Sequence, residues 1–163
     1  MEVVELDAAG IDAHSDDLAQ LLLDAHASNM ALGLSGPLTK ERAADAWNEL
    51  RGTILAALED GRVVGAVCLT RARENGTHRA EVQKLVVRMD ARGRGIGTRL
   101  LAAAEDRARE LGVSLLWLTT HVGTQADGYY ERLGWTRYGV VPGWARLPDG
   151  SLADNAFFYR VLT

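Results

Sequence analysis

The sequence has 163 residues, of which 47% are hydrophobic and 25% are charged, which is typical of one globular domain with a sizeable core. Its formal net charge of −4 disfavours a general role in binding nucleic acid or an anionic membrane. The single cysteine, Cys68, excludes an intrachain disulfide framework, and its apolar surroundings favour a buried side chain over a reactive thiol. The four histidines are scattered without zinc-binding spacing, so no metal is expected.

The N-terminal residues lack the basic and apolar regions of a signal peptide. No apolar run approaches the roughly 18 residues that a membrane-spanning helix needs. We therefore expect a cytoplasmic protein with no membrane partner, folded as a single domain over residues 1–163.

In chain order, the first half predicts a strand, two helices and a three-stranded antiparallel meander. The strand is residues 3–6, the helices are 11–28 and 39–51 with Thr39 as N-cap, and the loop between them is 29–38. Residues 53–58 and 62–73 predict two strands around the Asp60-Gly61 pair, a strong hairpin signal, and 79–88 is the third.

The second half predicts helices at 95–111 and 126–133 and strands at 114–120, 135–141 and 155–162, with a long loop over 142–154. Strands 79–88 and 114–120 are joined by a helix and are expected to be parallel neighbours. The predicted fold class is α/β: a mixed, mostly antiparallel sheet of about seven strands with helices on both faces.

A glycine-rich segment, RGRGIGT, opens the helix at 95–111 and carries the strongest functional signal. Glycine lets the backbone approach a ligand, and a helix N-terminus offers unpaired N–H groups and a favourable dipole to an anion. The Gly-Lys-Ser/Thr of a Walker loop is absent, and the glycines do not have the dinucleotide G-x-G-x-x-G spacing. A turn that only caps the helix is the remaining structural alternative.

The pattern Arg/Gln-x-x-Gly-x-Gly/Ala, matched by Arg92, Gly95 and Gly97, resembles the GNAT superfamily of acetyltransferases. The segment ADGYYERLGW resembles the superfamily's A-x-x-x-Y-x-x-x-G-F ending, although Gly123 and Thr124 stand where many members have Asn. The segments RAEVQKLVV and PGWARLPDG further resemble the tabtoxin-resistance type of acetyltransferase over nearly the whole chain.

This resemblance implies a GNAT fold in which one parallel strand pair is splayed to bind acetyl-CoA as cosubstrate. The backbone of Leu85, Val86 and Val87 would bind the pantetheine and polarise the acetyl carbonyl. The pyrophosphate would lie on the amides of the glycine-rich segment. The implied cofactor-binding residues there are Arg92, Gly93, Arg94, Gly95, Ile96, Gly97 and Thr98.

Acylation of an amine requires removal of a proton, because an alkyl ammonium has a pKa of roughly 10. Glu81 is the candidate general base: it is a lone carboxylate in a strand suited to burial, and the spacing predicts that it shares a face with Leu85. The alternative is a surface glutamate. Family members can carry an acidic residue on the next parallel strand, where this chain has Thr119, and His121 is a substitute candidate.

Tyr130 is the candidate general acid for the thiolate leaving group, with a core aromatic as the alternative. Tyr129, about 100° away around the helix, is predicted to pack in the core. The loops at 29–38 and 142–154 are expected to face the substrate, and Thr119, His121 and Trp144 are the candidate substrate-binding residues.

The sequence thus predicts an acetyl-CoA-dependent N-acetyltransferase that acts on the amine of a small molecule, such as an antibiotic or an amino-acid-like toxin, as a monomer or homodimer. Resistance to such a compound would be its role. The alternatives are a protein N-terminal or lysine acetyltransferase and, in another class, a non-catalytic acyl-CoA-binding protein.

Overall fold

A computed structural model describes residues 1–34, 36–147 and 149–163. The order is β1 (Glu2–Leu6), α1 (Ala8–Ala13), α2 (Ser15–Ala27), α3 (Lys40–Asn48), β2 (Thr53–Glu59), β3 (Arg62–Arg71), β4 (Arg79–Val87), α4 (Ile96–Glu110), β5 (Leu115–His121), α5 (Gln125–Arg132), β6 (Thr136–Arg146) and β7 (Leu152–Val161).

The seven strands form one sheet in the order β1-β2-β3-β4-β5-β7-β6. Every neighbouring pair is antiparallel except β4 and β5, which are parallel. Apolar clusters lie on the two faces: α4 packs on one, and α2 and α3 pack on the other. The predicted fold class, including the parallel pair, is therefore confirmed.

Local signals account for several of the element boundaries. Thr39 caps α3 by accepting a 3.2 Å hydrogen bond from the backbone N–H of Arg42, as predicted. Asp60 and Gly61 both have positive φ, 50° and 77°, as the predicted β2–β3 hairpin requires. In the described part of the chain, no helix is long and apolar enough to cross a membrane.

The N-terminal helical region differs from the prediction of one helix over 11–28. The helix is divided at His14, and α1 begins earlier, after Asp7. The carboxylate of Asp7 accepts a 2.8 Å hydrogen bond from the backbone N–H of Gly10 and so caps α1.

The predicted long loop over 142–154 is also wrong, because β6 continues to Arg146 and β7 begins at Leu152. A shift of register between Val141 and Ala145 accommodates Pro142 and Gly143. Proline is tolerated here because β6 is an edge strand, where a missing N–H breaks no sheet hydrogen bond on the open side. Pro148, in the PDG segment, lies outside the described residues.

Candidate active site

The parallel strands β4 and β5 separate after a short paired region. Their register runs only from Arg79↔Leu115 to Glu81↔Trp117, although β4 continues to Val87 and β5 to His121. A cavity of about 660 Å³ occupies the resulting gap. Its walls are the last half of β4, Thr119 and Thr120 of β5, the loop after α2, and the N-terminal parts of α4 and α5.

A β-bulge in β4 shapes one wall of this cavity. Gln83 pairs with Cys68 and Val86 pairs with Ala66, so Lys84 and Leu85 together stand opposite one residue of β3. Lys84 has φ 50°, in the left-handed region that a non-glycine residue rarely adopts.

The bulge also changes which side chains share a face of the sheet. Before it, Val82 packs on the α4 side; after it, Val86 packs on the α2–α3 side, and Leu85 and Val87 pack on the α4 side. The prediction that Glu81 and Leu85 share a face is therefore wrong, because one extra residue reverses the alternation.

The segment from Gly93 to Thr98, which leads into α4 and is called the anion cradle below, borders one end of the cavity. Gly93 and Gly95 both have φ 76°, which favours glycine, and a Cβ on either would meet no atom within 4 Å. Within the described chain, no side chain caps the helix at Gly95, and its first turn has no acidic residue. An uncapped helix start of this kind leaves its first N–H groups without side-chain partners and carries the positive end of the helix dipole, which is the arrangement that binds anions.

The two arginines of this segment make other contacts. Arg92 donates to the hydroxyl of Ser28 at 2.8 Å and to the carbonyl of Val87 at 3.2 Å, so it joins the cradle to the end of α2. Arg94 pairs with Glu59 at 2.7 Å. Backbone groups, rather than these side chains, are therefore the donors that the cradle offers.

Two tyrosines of α5 line the cavity in different ways. Tyr130 is 8% exposed, and its ring packs against Tyr129, Trp135 and Phe158 with centroids 5.4, 6.0 and 5.7 Å away. Burial raises the pKa of the Tyr130 phenol above its ordinary value, so the hydroxyl stays protonated and can donate.

Tyr129 does not pack wholly in the core as predicted. Its hydroxyl lies 3.1 Å from the hydroxyl of Thr98, and a Cβ on Gly97 would come within 3.2 Å of it. Tyr129 therefore borders the anion cradle.

Glu81 and Lys84 place opposite charges on the β4 wall. The amide of Gln83 donates a 2.6 Å hydrogen bond to the Glu81 carboxylate. Burial raises the pKa of Glu81, and the hydrogen bond from Gln83 and the charge of Lys84 oppose that rise. Burial also lowers the pKa of Lys84, whose ammonium donates to the carbonyl of Leu32 at 2.9 Å.

Asn155 of β7 contacts two residues of β5: its amide donates a 2.5 Å hydrogen bond to the hydroxyl of Thr119, and its carbonyl oxygen lies 2.7 Å from Nδ1 of His121. Thr119 lines the large cavity. His121 borders a second cavity of about 40 Å³, beyond the loop segment that contains Leu32.

The structure thus brings most of the predicted site residues together. Around the large cavity lie Glu81, Tyr130, Leu85, Val87, Arg92, Gly93, Gly95, Ile96, Gly97, Thr98 and Thr119. Val86 is buried in the α2–α3 core, Arg94 points to Glu59, and Trp144 is 57% exposed on β6, where its ring packs against Phe157 at 5.0 Å.

Sequence reasoning missed Gln83, Lys84 and Tyr129 as site residues. A signal for the first two exists: in AEVQKLVV, polar residues alternate at Glu81 and Gln83, and Lys84 then breaks the alternation. That break marks the bulge. Among the described residues, no group of three or more His, Cys, Asp or Glu side chains is arranged to hold a metal ion.

Residues 18–135 match the model of the acetyltransferase (GNAT) family. The chain belongs to the GNAT acetyltransferase family. The predicted superfamily is thereby confirmed, and the start of α4 at Gly95 and the splayed β4–β5 pair lie inside the matched region.

Named GNAT proteins with different acceptors are similar to this chain. Mycothiol acetyltransferase of Propionibacterium freudenreichii subsp. shermanii is 34% identical over 135 residues, 80% of this chain and 43% of that protein. Aminoalkylphosphonate N-acetyltransferase of Salmonella typhimurium is 39% identical over 84 residues, 48% of this chain and 53% of that protein. The chain thus spans about half the length of these curated relatives.

Among solved structures, ribosomal-protein-alanine N-acetyltransferase from Brucella melitensis superposes with a TM-score of 0.79 at 26% identity. That alignment covers 99% of this chain and 100% of the other. The GNAT architecture therefore extends over nearly the whole sequence.

Proposed function

We propose that this protein is an acetyl-CoA-dependent N-acetyltransferase that acetylates the amine of a small molecule. The observation that carries the proposal is one cavity, between splayed parallel strands, that joins an anion cradle at Gly95 to the carboxylate of Glu81. We further propose that residues 1–163 act as one GNAT domain.

The cradle fits the diphosphate of a CoA thioester. Backbone N–H groups from Gly93 to Thr98 would hold the phosphates, with Arg92 fixing the segment against α2. The backbone of Leu85 to Val87 would hold the pantetheine arm along β4, as the family resemblance implies. Bound acetyl-CoA supplies the acetyl group, and its thiol is the leaving group.

The bulge at Lys84 offers a donor for the acyl carbonyl. A bulge removes backbone groups from the sheet ladder, and we infer that an N–H of the Lys84–Leu85 pair would serve as this donor. A fixed donor placed where negative charge develops lowers the barrier without reorganising during the reaction.

Glu81 would accept the proton of the acceptor ammonium, directly or through one water. Its raised pKa moves the carboxylate toward the working pH, where a base is more effective. Thr119 cannot take a proton, and His121 lies outside the large cavity and contacts Asn155. We therefore assign the base role to Glu81 alone.

Tyr130 would donate its proton to the departing sulfur. Because burial raises the pKa of Tyr130, the phenol keeps its proton at the working pH and can donate a hydrogen bond to the sulfur as negative charge develops there, before the proton is transferred. The surrounding aromatic rings fix its orientation.

Two acceptor classes are supported by names among the relatives. The aminoalkylphosphonate enzyme supports a small amine, and the ribosomal-protein-alanine enzyme supports a protein N-terminus. Because residues of the loop after α2, from Met30 to Gly33, line the cavity, we favour the smaller acceptor. More specifically, we propose that the protein is an enzyme of the tabtoxin-resistance type, whose role is resistance to the compound that it acetylates.

A competition between acceptor classes tests the choice. The protein, acetyl-CoA, a library of small amines and a set of peptides with free N-termini and lysines are incubated together, and the products are read by mass spectrometry. We expect acetylation of small amines at a rate that exceeds that of every peptide. Preferential acetylation of peptides would replace the proposal with the protein acetyltransferase alternative.

A further inference from the structure

The bulge in β4 places Lys84 on the cavity wall near Glu81, the proposed base. Its φ of 50° turns the chain so that Lys84 and Glu81 both line the cavity although they are three residues apart. Its ammonium donates to the carbonyl of Leu32, in the loop after α2 that lines the cavity. A half-buried charge in this position needs partners, because its removal from water is costly.

The two charges on this wall do not neutralise each other. Glu81 accepts from the Gln83 amide, and Lys84 donates to Leu32. Among the ion pairs within 4.0 Å in the described residues, none joins Glu81 to Lys84. The remaining charges near Lys84, Arg42 and Glu49, pair with one another at 3.1 Å.

An ammonium has three N–H donors, and Leu32 receives one of them. The cavity wall thus carries a proton acceptor, Glu81, and a cation, Lys84, that has two further N–H donors. A molecule that carries an amine and an anionic group matches both, with the amine at Glu81 and the anion at Lys84.

We propose that Lys84 determines acceptor specificity by binding an anionic group, a carboxylate, phosphonate or phosphate, on the same small molecule that carries the reacting amine. This inference rests on the proposed function, since it names the acceptor of that site. The competing role for Lys84 is structural: it would only hold the loop at Leu32 in place.

Matched acceptors and matched variants separate these roles. The acceptors are glycine, β-alanine, 4-aminobutyrate and 5-aminopentanoate, each compared with its carboxamide, which lacks the negative charge. Lys84→Gln removes the charge but keeps an N–H donor for Leu32, whereas Lys84→Met removes both. Lys40, the chain's other lysine, pairs with Asp16 on the surface, and Lys40→Gln serves as control for the loss of one positive charge.

The quantity to compare is the ratio of kcat/KM for each acid to that for its amide, so that the altered amine pKa of the amide cancels between variants. We expect the acid to be preferred by the wild type, and the ratio to fall about tenfold or more in both Lys84 variants, mainly through KM. Lys40→Gln should leave the ratio unchanged. If Lys84→Gln still acetylates amines and its acid-to-amide ratio stays within twofold of the wild-type ratio, Lys84 only holds the loop at Leu32 and does not bind the anionic group.

If no amine is acetylated, the proposed function fails, and Lys84 is then tested by binding alone. The melting temperature of the CoA-loaded protein is measured with each acid and with its amide. A shift specific to the acids that Lys84→Gln abolishes would support the anion site. Equal shifts from acids and amides, no shift from either, or an acid-specific shift retained in Lys84→Gln would overturn it. Far-UV circular dichroism checks that both Lys84 variants fold.

Discussion

The side-chain amide of Gln83 donates a 2.6 Å hydrogen bond to the carboxylate of Glu81, two residues earlier in β4. The donor stabilises the charged form of the carboxylate and so opposes the rise in the pKa of Glu81 that burial causes. Gln83 therefore helps to set the lowest pH at which Glu81, the proposed base, is still ionised and can accept a proton.

Loss of this hydrogen bond should shift the pH profile. In Gln83→Leu the carboxylate loses its donor, so the pKa of Glu81 rises and the acid limb of kcat/KM moves to higher pH. The change is measured as kcat/KM between pH 5 and 9 with a saturating concentration of acetyl-CoA. Gln20, which makes a similar 2.8 Å contact to Asp24 on α2, provides the control Gln20→Leu. An unmoved acid limb in Gln83→Leu would mean that Glu81 does not control it.

Removal of the base itself should have a larger effect. Glu81→Gln keeps the shape but cannot accept a proton, so turnover should fall about 10²–10⁴-fold, most strongly at low pH where few amines are already neutral. Affinity for CoA should not change. Glu105, another buried glutamate whose pKa is raised by burial, pairs with Arg160 outside the cavity, and Glu105→Gln is the matched control. Full activity of Glu81→Gln would transfer the base role to water or another group.

Substitutions of the two tyrosines of α5 should have different effects on kcat. Tyr130→Phe removes the proposed acid, and kcat should fall about 10²–10⁴-fold with little loss of stability, because the packed ring remains. Tyr129→Phe removes only the contact to Thr98 and should leave kcat nearly intact, with a modest rise in KM for acetyl-CoA. Both constants come from steady-state assays of each variant. Similar losses of kcat in the two variants would contradict the assignment.

The cradle can be tested with two glycines of the same conformation. Gly95 and Gly112 flank α4 with φ 76° and 72°, so an alanine at either should destabilise the fold by about 1–2 kcal/mol. CoA should raise the melting temperature of the wild type and of Gly112→Ala, and far less that of Gly95→Ala, since only Gly95 lines the cavity. Pantetheine, which lacks the diphosphate, should have a small effect on all three. Equal shifts from CoA and pantetheine would remove the phosphate role from this segment.

Short-range patterns predicted much of this architecture. The Asp60-Gly61 hairpin, the Thr39 cap and the glycine-rich start of α4 depend on neighbouring residues, and each is where the sequence places it. The helix between β4 and β5 allowed their parallel pairing to be predicted from chain connectivity alone.

Features that depend on pairing across the sheet were not predictable in the same way. Lys84 breaks the polar alternation of β4, but the extra residue and its opposite partner are defined only by the pairing with β3, and the bulge reversed the face expected for Leu85. Pro142 led to the prediction of a loop, because proline is tolerated within a strand only at the edge of a sheet. Whether β6 is an edge strand depends on the strand order, which no local pattern shows. The approach of Tyr129 to Thr98 joins residues 31 positions apart, which no local pattern reports.

Transfer of an acetyl group, rather than binding of acetyl-CoA alone, is best tested by thiol release from acetyl-CoA over a library of small amines, with wild type and Glu81→Gln assayed side by side. We expect release that depends on the amine, saturates with it and is largely lost in Glu81→Gln. Tight binding of acetyl-CoA with no amine-dependent release from any acceptor would contradict this expectation and identify an acyl-CoA-binding protein.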